Sequence, residues 1–384
     1  MIPLQGEGSG YADTQKNDGR PLRVLAHPAL KNSRRNPYNW LLTRALLSRG
    51  VSVRELTPLR LLTGDDDIWH LHWPEGIAHL NKGSWLFAAM RAAGLVLLLR
   101  WGRWRGKRIV WTVHNLGSHE QLHRRIEARF WHSFTELVDG FISLSEQGAH
   151  AARERFPTLR NAVGFVVPHG HYRDVFPATV SKTEARQVLR IDPHVRVIAY
   201  IGQIRPYKNV PLLISAFRKL VGADVLLLIA GSPLNEQLAR ELREAAADAP
   251  RVRVELKFLS NNEIQHYVSA SDLIVLPYRE ILNSGTAVLA LSLNRPVLVP
   301  RLGGLAELQA LVGKDWVCTY DGPLTTVHLE RAVQWAVSSA RSDTAPLQTL
   351  DWNHIAAATI DAYGSLINGD RAHSRDKTSR PATQ

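Results

Sequence analysis

The sequence predicts an α/β protein made of two doubly wound, Rossmann-like parallel sheets, and three observations carry that expectation. From Leu22 onward, short β-branched or apolar runs alternate with longer stretches of helical period, the pattern of repeated βα units. The alternation lapses across residues 177–194 and restarts at 195. The 384 residues suffice for two cores, since one domain usually takes about 100–200.

In the first half, strands are expected at 23–26, 68–72, 108–113, 140–144 and 164–167, with helices at 37–49, 84–99, 119–137 and 145–156 between them. The second half offers strands at 195–202, 225–230, 251–256, 272–276 and 296–300. Its helices are expected at 210–221, 235–247, 261–270, 286–293 and 305–311. The domain frame is then 21–180 and 181–350, followed by a last helix within 351–368 that can pack back on the first domain. Residues 1–20 are a polar, Gly-rich lead-in and 369–384 a charged tail poor in apolar residues, both expected to be disordered.

Composition narrows the function classes. A formal charge of +12, from 47 Lys and Arg against 35 Asp and Glu, calls for a polyanionic partner: nucleic acid, an anionic membrane face or a phosphorylated substrate. Cys318 is the single cysteine, which excludes an internal disulfide or a cysteine metal cluster and fits a reducing compartment, the cytosol by default. The N-terminus lacks the basic-then-apolar order of a secretory signal. The longest apolar stretch, 85–99, is interrupted by Arg91 and falls short of the about 20 residues that span a bilayer. Arg100, Trp101, Arg103, Trp104, Arg105, Lys107 and Arg108 follow it, a mixture of cations and indoles suited to anionic headgroups; the alternative is a buried helix followed by a solvated basic loop.

Open α/β sheets bind ligands at the carboxyl ends of their strands, so the residues just past each strand are the ones to inspect. His70, His72 and Glu75 follow the second expected strand, His114 and Glu120 the third, and His169, His171, Tyr172 and Arg173 the fifth. A lone histidine is usually structural; three clusters at equivalent strand ends are harder to dismiss. The two His-x-His pairs raise zinc, but no clear set of histidine and carboxylate ligands accompanies them, and no metal is expected. In the second half, Gly202, Arg205 and Lys208 form one strand-to-helix turn and Asn283, Ser284, Gly285 and Thr286 another, supplying fixed cations and helix-terminal N–H groups where a diphosphate is best held. Gly231 and Ser232 end the strand between them in sequence, and Glu307 lies after the Gly303-Gly304 turn. The phosphate loop of nucleoside triphosphatases, the dinucleotide fingerprint after the first strand and the hydrolase nucleophile elbow are all missing.

With those residues in view, nearly all of 22–366 resembles the two-domain glycosyltransferases of the GT-B fold, which use nucleotide-sugar donors bound in a cleft that the two domains face. The turn through Gly202, Arg205 and Lys208 looks like that superfamily's diphosphate grip, and Ala230-Gly231-Ser232-Pro233 like its base-contacting turn. The segments His70-Leu71-His72-Trp73-Pro74-Glu75, His114-Asn115-Leu116, His169-Gly170-His171-Tyr172-Arg173-Asp174, Ile204-Arg205-Pro206-Tyr207-Lys208 and Asn283-Ser284-Gly285-Thr286 resemble, more closely, the bacterial β-mannosyltransferases of xanthan-type exopolysaccharide assembly. That resemblance implies GDP-mannose as donor, a polyprenyl-diphosphate-linked oligosaccharide as acceptor and no cofactor. Large retaining families of this fold carry two glutamates eight positions apart; here Glu280 is followed eight residues on by Val288, which argues for inversion. An inverting transfer needs a base on the acceptor hydroxyl, expected from the first domain, and Glu75, Glu120, His72 and His114 are the candidates, the two glutamates being favoured. Without an Asp-x-Asp pair in a suitable loop, Arg205, Lys208 and the N–H groups near Ser284 are expected to meet the leaving charge, with Arg173 or its neighbours assisting. The implied location is the cytoplasm, peripheral on the inner membrane face through residues 84–108. A UDP-sugar donor, or a non-catalytic protein binding polyanions or glycans on the same scaffold, are the alternatives. Nucleic acid is not expected, because the cations form no continuous stripe with interleaved aromatics.

Overall fold

The computed structural model describes residues 20–31, 36–78, 84–117, 123–176, 180–221 and 224–378. The lead-in expected at 1–20 and the extreme end of the tail therefore lie outside the described residues, apart from Arg20, as does Glu120. Two compact units divide the chain: Met1–Leu144 with Gly148–Pro168 and Trp352–Gln384 in the first, Ser145–Gln147 with His169–Asp351 in the second. The segment from His169 to Arg173 thus belongs to the second unit, where the sequence frame of 21–180 places it in the first.

Six parallel strands form the first sheet: β1 Arg23–His27, β2 Ser52–Glu55, β3 Ile68–Leu71, β4 Arg108–Val113, β5 Gly140–Ser143 and β6 Val163–Val166, in the order β2-β1-β3-β4-β5-β6. The second sheet repeats the plan with β7 Arg196–Ile201, β8 Val225–Ala230, β9 Val252–Glu255, β10 Leu273–Val275, β11 Val297–Pro300 and β12 Val317–Tyr320, ordered β12-β11-β10-β7-β8-β9. Central strands such as β3, β4, β7 and β8 are buried on both faces, which is why they read as near-continuous apolar runs. The two strands the sequence does not suggest, β2 (SVRE) and β12 (VCTY), are edge strands whose polar residues hide the pattern.

Several helices differ informatively from expectation. Pro58–Thr63 and Lys182–Leu189 begin at Thr57 and Ser181, whose hydroxyls accept from the N–H of Arg60 and Glu184. The second of these lies in the stretch read as a joint; Arg186 fixes it by an ion pair to Asp272 (2.9 Å) and a bond to the carbonyl of Ala270. The long helix does not stop at Leu99 but runs Trp85–Trp104, so the Arg/Trp segment is helical through Trp104 rather than a loop. Gly102 allows this by lying flat on Trp69, where a Cβ would come within 2.3 Å of the ring. The last helix, Trp352–Thr378, packs Ile355, Thr359, Tyr363 and Leu366 into the first unit. Its continuation past Gly369 replaces the disorder expected from 369: polar composition alone does not stop a helix, and no proline intervenes before Pro381.

Candidate functional site

In the second unit the two turns picked out in the sequence meet. A Cβ on Gly202, which follows β7, would lie 3.5 Å from Oγ1 of Thr286 in the first turn of helix Gly285–Ser292. Gly231, which follows β8, approaches the Gly202 carbonyl so closely that any side chain would overlap it. The Ile204 N–H donates to Ser232 O (2.8 Å), locking the turn after β7 onto the turn after β8. Arg205 folds its Nη1 back onto the carbonyls of Ile204 (2.8 Å) and Ser232 (3.2 Å), so it braces this corner. Lys208 stands over the Tyr278 ring, Nζ 5.7 Å from its centroid. Burial, and then the Arg205 charge, push its pKa down to about 8. An ammonium held in that state gains most from an arriving anion.

Ser284 caps helix Gly285–Ser292, its hydroxyl accepting from the Ala287 N–H (3.2 Å) and donating to the Tyr278 hydroxyl (3.4 Å). The N–H groups of Gly285 and Thr286 lie in this first turn, where backbone donors have no intrahelical acceptor. Asn283 Oδ1 accepts from the Ser145 hydroxyl (3.1 Å), while its buried Nδ2 has no protein partner among the described residues.

The four candidates after the fifth expected strand separate. His169 and Tyr172 arrive at the helix start: a Cβ on Gly285 would meet the Tyr172 hydroxyl at 3.1 Å and His169 Nε2 at 3.5 Å. His169 Nδ1 donates to Gly170 O (2.8 Å), leaving Nε2 to accept from Tyr172 (3.3 Å), and burial holds the imidazole neutral with a pKa of about 4. His171 and Arg173, expected as acceptor or phosphate contacts, make contacts within the protein. Arg173 donates to Ala345 O (2.6 Å) and Asn294 Oδ1 (3.4 Å), and His171 lies 3.6 Å from Asp351 with its N–H on Leu350 O. Glu307 is likewise engaged elsewhere: its two oxygens accept from the N–H groups of Glu146 and Gln147, both at 2.8 Å.

In the first unit, β3 and β4 carry a histidine cluster at their carboxyl ends. His70 bonds Tyr363 Oη through Nδ1 (2.6 Å) and Thr112 Oγ1 through Nε2 (2.7 Å). With both ring nitrogens occupied and burial lowering its pKa to about 3, His70 is a neutral strut and no metal ligand. His72 Nδ1 lies 3.1 Å from His114 Nε2; the Tyr38 ring stands edge-on to both, and Trp73 stacks on His114 at 4.3 Å. Among the described residues no group of three or more His, Cys, Asp or Glu is placed to hold a metal ion. Glu75 opens the short helix Pro74–Ile77 beside this cluster. Burial first, and to a lesser degree the charge of Glu127, raise its pKa to about 7, against the lowering effect of its own backbone N–H. Glu127, buried on helix Arg124–Thr135 and accepting from Trp131 Nε1 (3.3 Å), is a residue the sequence does not reveal, as is Tyr363.

Residues 181–316 match the family described as Glycosyl transferases group 1. Over 350 residues the chain is 29% identical to the GDP-mannose:glycolipid 4-beta-D-mannosyltransferase of Xanthomonas campestris pv. campestris, covering 91% of this chain and 94% of that protein. Among solved structures it is similar to sucrose-phosphate synthase from Thermosynechococcus elongatus, with a TM-score of 0.61 and 15% identity over 94% of this chain and 98% of that one. It is also similar to WaaG, a glycosyltransferase involved in lipopolysaccharide biosynthesis (TM-score 0.53, 15% identity, 91% and 98% covered). Those two likenesses show the fold, which is GT-B.

Proposed function

We propose that this chain, a glycosyltransferase of GT-B fold, transfers mannose from GDP-mannose to a polyprenyl-diphosphate-linked oligosaccharide, with inversion, as a step of exopolysaccharide assembly. The observation that carries the reading is the meeting of the Gly202 and Thr286 turns, with the half-buried Lys208 ammonium in the first of them and a helix N-terminus in the second. Such a corner suits a diphosphate. The choice of guanine and mannose rests on the bacterial relative, whose name specifies both, and the glycolipid acceptor has the same source.

In the proposed reaction the acceptor hydroxyl oxygen attacks the anomeric carbon as the bond from that carbon to the diphosphate oxygen breaks. Glu75 takes the hydroxyl proton; a carboxyl group with a pKa of about 7 is matched to that task near neutral pH. GDP departs with its developing charge met by Lys208 and by the N–H groups of Gly285 and Thr286, in a route that calls on no metal ion because these groups already supply the charge. The Tyr172 hydroxyl, beside the start of the same helix, would have to turn from His169 to the diphosphate to add a donor there. Inversion is supported by the helix itself, where Val288 is buried apolar packing and Glu280 is exposed, so no second carboxylate takes part. A glycolipid acceptor puts the reaction at the cytoplasmic face of the cell membrane, with the enzyme peripheral to it.

Thermal unfolding with GDP, UDP, ADP, GDP-mannose and UDP-glucose tests the donor. A ligand at about 100 times its dissociation constant adds about 2.7 kcal/mol. A shift with GDP and GDP-mannose alone is expected. A shift with UDP alone moves the donor assignment, and no shift with any nucleotide puts a non-catalytic glycan-binding protein in front. The anomeric configuration of the product, read by NMR, separates inversion from retention.

A further inference from the structure

The long helix Trp85–Trp104 is the one described helix long and apolar enough to cross a membrane, with a mean hydropathy of 1.3 over its most apolar window. Its two faces show that it does something else. At 100° per residue, Ala88, Ala92, Leu95, Val96, Leu99 and Gly102 share one side, and all are buried in the first unit. Leu86, Met90, Leu97, Trp101 and Trp104 fall within about 60° of arc on the opposite side. All five are exposed, Leu97 by 62% and Trp104 by 77%. An apolar stripe about 27 Å long therefore faces outward, while the same helix supplies the core inward.

The stripe is extended by a second element. Helix Pro58–Thr63 exposes Leu59 (69%) and Leu62 beside the C-terminal end of the long helix, and Arg105 Nη1 ties the two together through the Leu62 carbonyl (2.6 Å). Cations rim the surface. Arg100 is exposed and flanks the stripe, Arg105 lies 5.8 Å from the centre of the Trp101 ring, and Trp101 and Trp104 stack on each other at 5.0 Å. Indoles and arginines around an aliphatic band is the chemistry of the boundary between acyl chains and anionic headgroups.

We infer that helices Pro58–Thr63 and Trp85–Trp104 form a platform that lies in the plane of an anionic lipid bilayer, the stripe from Leu86 to Trp104 entering the acyl boundary and the rim arginines meeting the headgroups. This rests on the glycolipid reading of the acceptor and names the surface that would bring the enzyme to it. The inward face excludes a spanning helix, because removing it from the unit would strip the core of six buried residues. A second copy is disfavoured as the occupant, since it would bring two arginine-rimmed faces together.

Co-sedimentation of the full chain with vesicles of phosphatidylcholine alone, and with about a third phosphatidylglycerol, tests the platform, with GDP-induced thermal shift measured on the same samples. Binding is expected to the phosphatidylglycerol vesicles, weakened by salt. The double variant Leu97→Glu/Trp101→Glu should lose at least about tenfold in vesicle affinity. Arg100→Glu should lose about fivefold, and more at low salt than at high. Both should unfold at the wild-type temperature and keep the GDP shift. Undiminished vesicle binding by the double variant overturns the platform, and so does self-association without vesicles that the variant abolishes. A GDP shift without vesicle binding overturns the platform and leaves the donor site standing; vesicle binding without a nucleotide shift does the reverse.

Discussion

At the carboxyl edge of the first sheet the side chains that matter are imidazoles, phenols and carboxylic acids, whereas at the same edge of the second they are an ammonium, a guanidinium and backbone N–H groups. The two sheets share strand number and parallel sense, and the strand order reverses between β1 and β3 in the first and between β7 and β10 in the second; topology explains why groups gather at both edges but not their chemical difference. Burial acts on the two in opposite directions. It raises Glu75 to about 7, favouring a neutral acid, and lowers Lys208 to about 8, weakening a cation. Each is thereby poised near neutrality, as the proposed reaction requires of a base that gains a proton from a substrate and of a cation that a substrate holds charged. In that proposal a single physical cause prepares both groups.

The largest effect should come from separating the two edges chemically. Glu75→Gln keeps the shape of the side chain and removes the base, and is expected to lower kcat by about 10²–10⁴-fold with the GDP-induced thermal shift unchanged. Wild-type turnover should rise with pH through about 7 as Glu75 ionises, a limb the variant lacks. Full turnover by this variant would move the base to Glu120, and full turnover by Glu120→Gln as well would move it to His72 or His114 and dissolve the contrast drawn above.

At the second edge, Lys208→Ala is expected to weaken GDP binding by about 10–100-fold, the usual worth of a charge-assisted hydrogen bond. Wild-type affinity should fall as pH rises through about 8, where the unliganded ammonium gives up its proton. Unchanged affinity in titration calorimetry would mean that the diphosphate is held by the helix terminus alone.

How these residues announced themselves in the sequence follows from how they are placed. Lys208, Ser284 and Gly285 lie in local turns, where each strand run ends and the next helix starts, so periodicity alone isolates them. The His70, His72 and His114 cluster is legible for the same reason, but the sequence does not show that His70 is a strut. Its partner Tyr363 is 293 residues away, on a helix whose buried face carries no special pattern. Glu127 is hidden likewise, as one acidic residue on an otherwise charged helix. The contacts of Arg173 and His171 with Ala345 and Asp351 are not legible, because a residue type just past a strand says nothing about which way its side chain turns. The sequence leaves the Arg/Trp segment after Leu99 open between a headgroup-facing surface and a solvated loop, because its charge masks a helical face that the Gly102 contact with Trp69 reveals.

The smallest expected effect is on stability, and it sharpens the comparison most. Glu75 has a folded pKa near 7 against 4.5 unfolded, so its ionisation opposes folding: the cost is absent below about 4.5, grows as pH rises, and is complete above about 7. Lys208 has a folded pKa near 8 against 10.5 unfolded, so its cost is complete below about 8 and disappears as pH rises toward 10.5. Glu75→Gln and Lys208→Met should each stabilise the unliganded protein by about 1–2 kcal/mol at pH 7.5, allowing for partial solvent screening. The first gain should shrink toward pH 5 and the second toward pH 10. Denaturant unfolding across that range reads both, and parallel rather than mirrored pH dependences would show that burial does not govern the two groups in the same way. Were the mirror seen, the instability at each edge would be the cost of holding a base and an anion clamp in the states that the reaction requires.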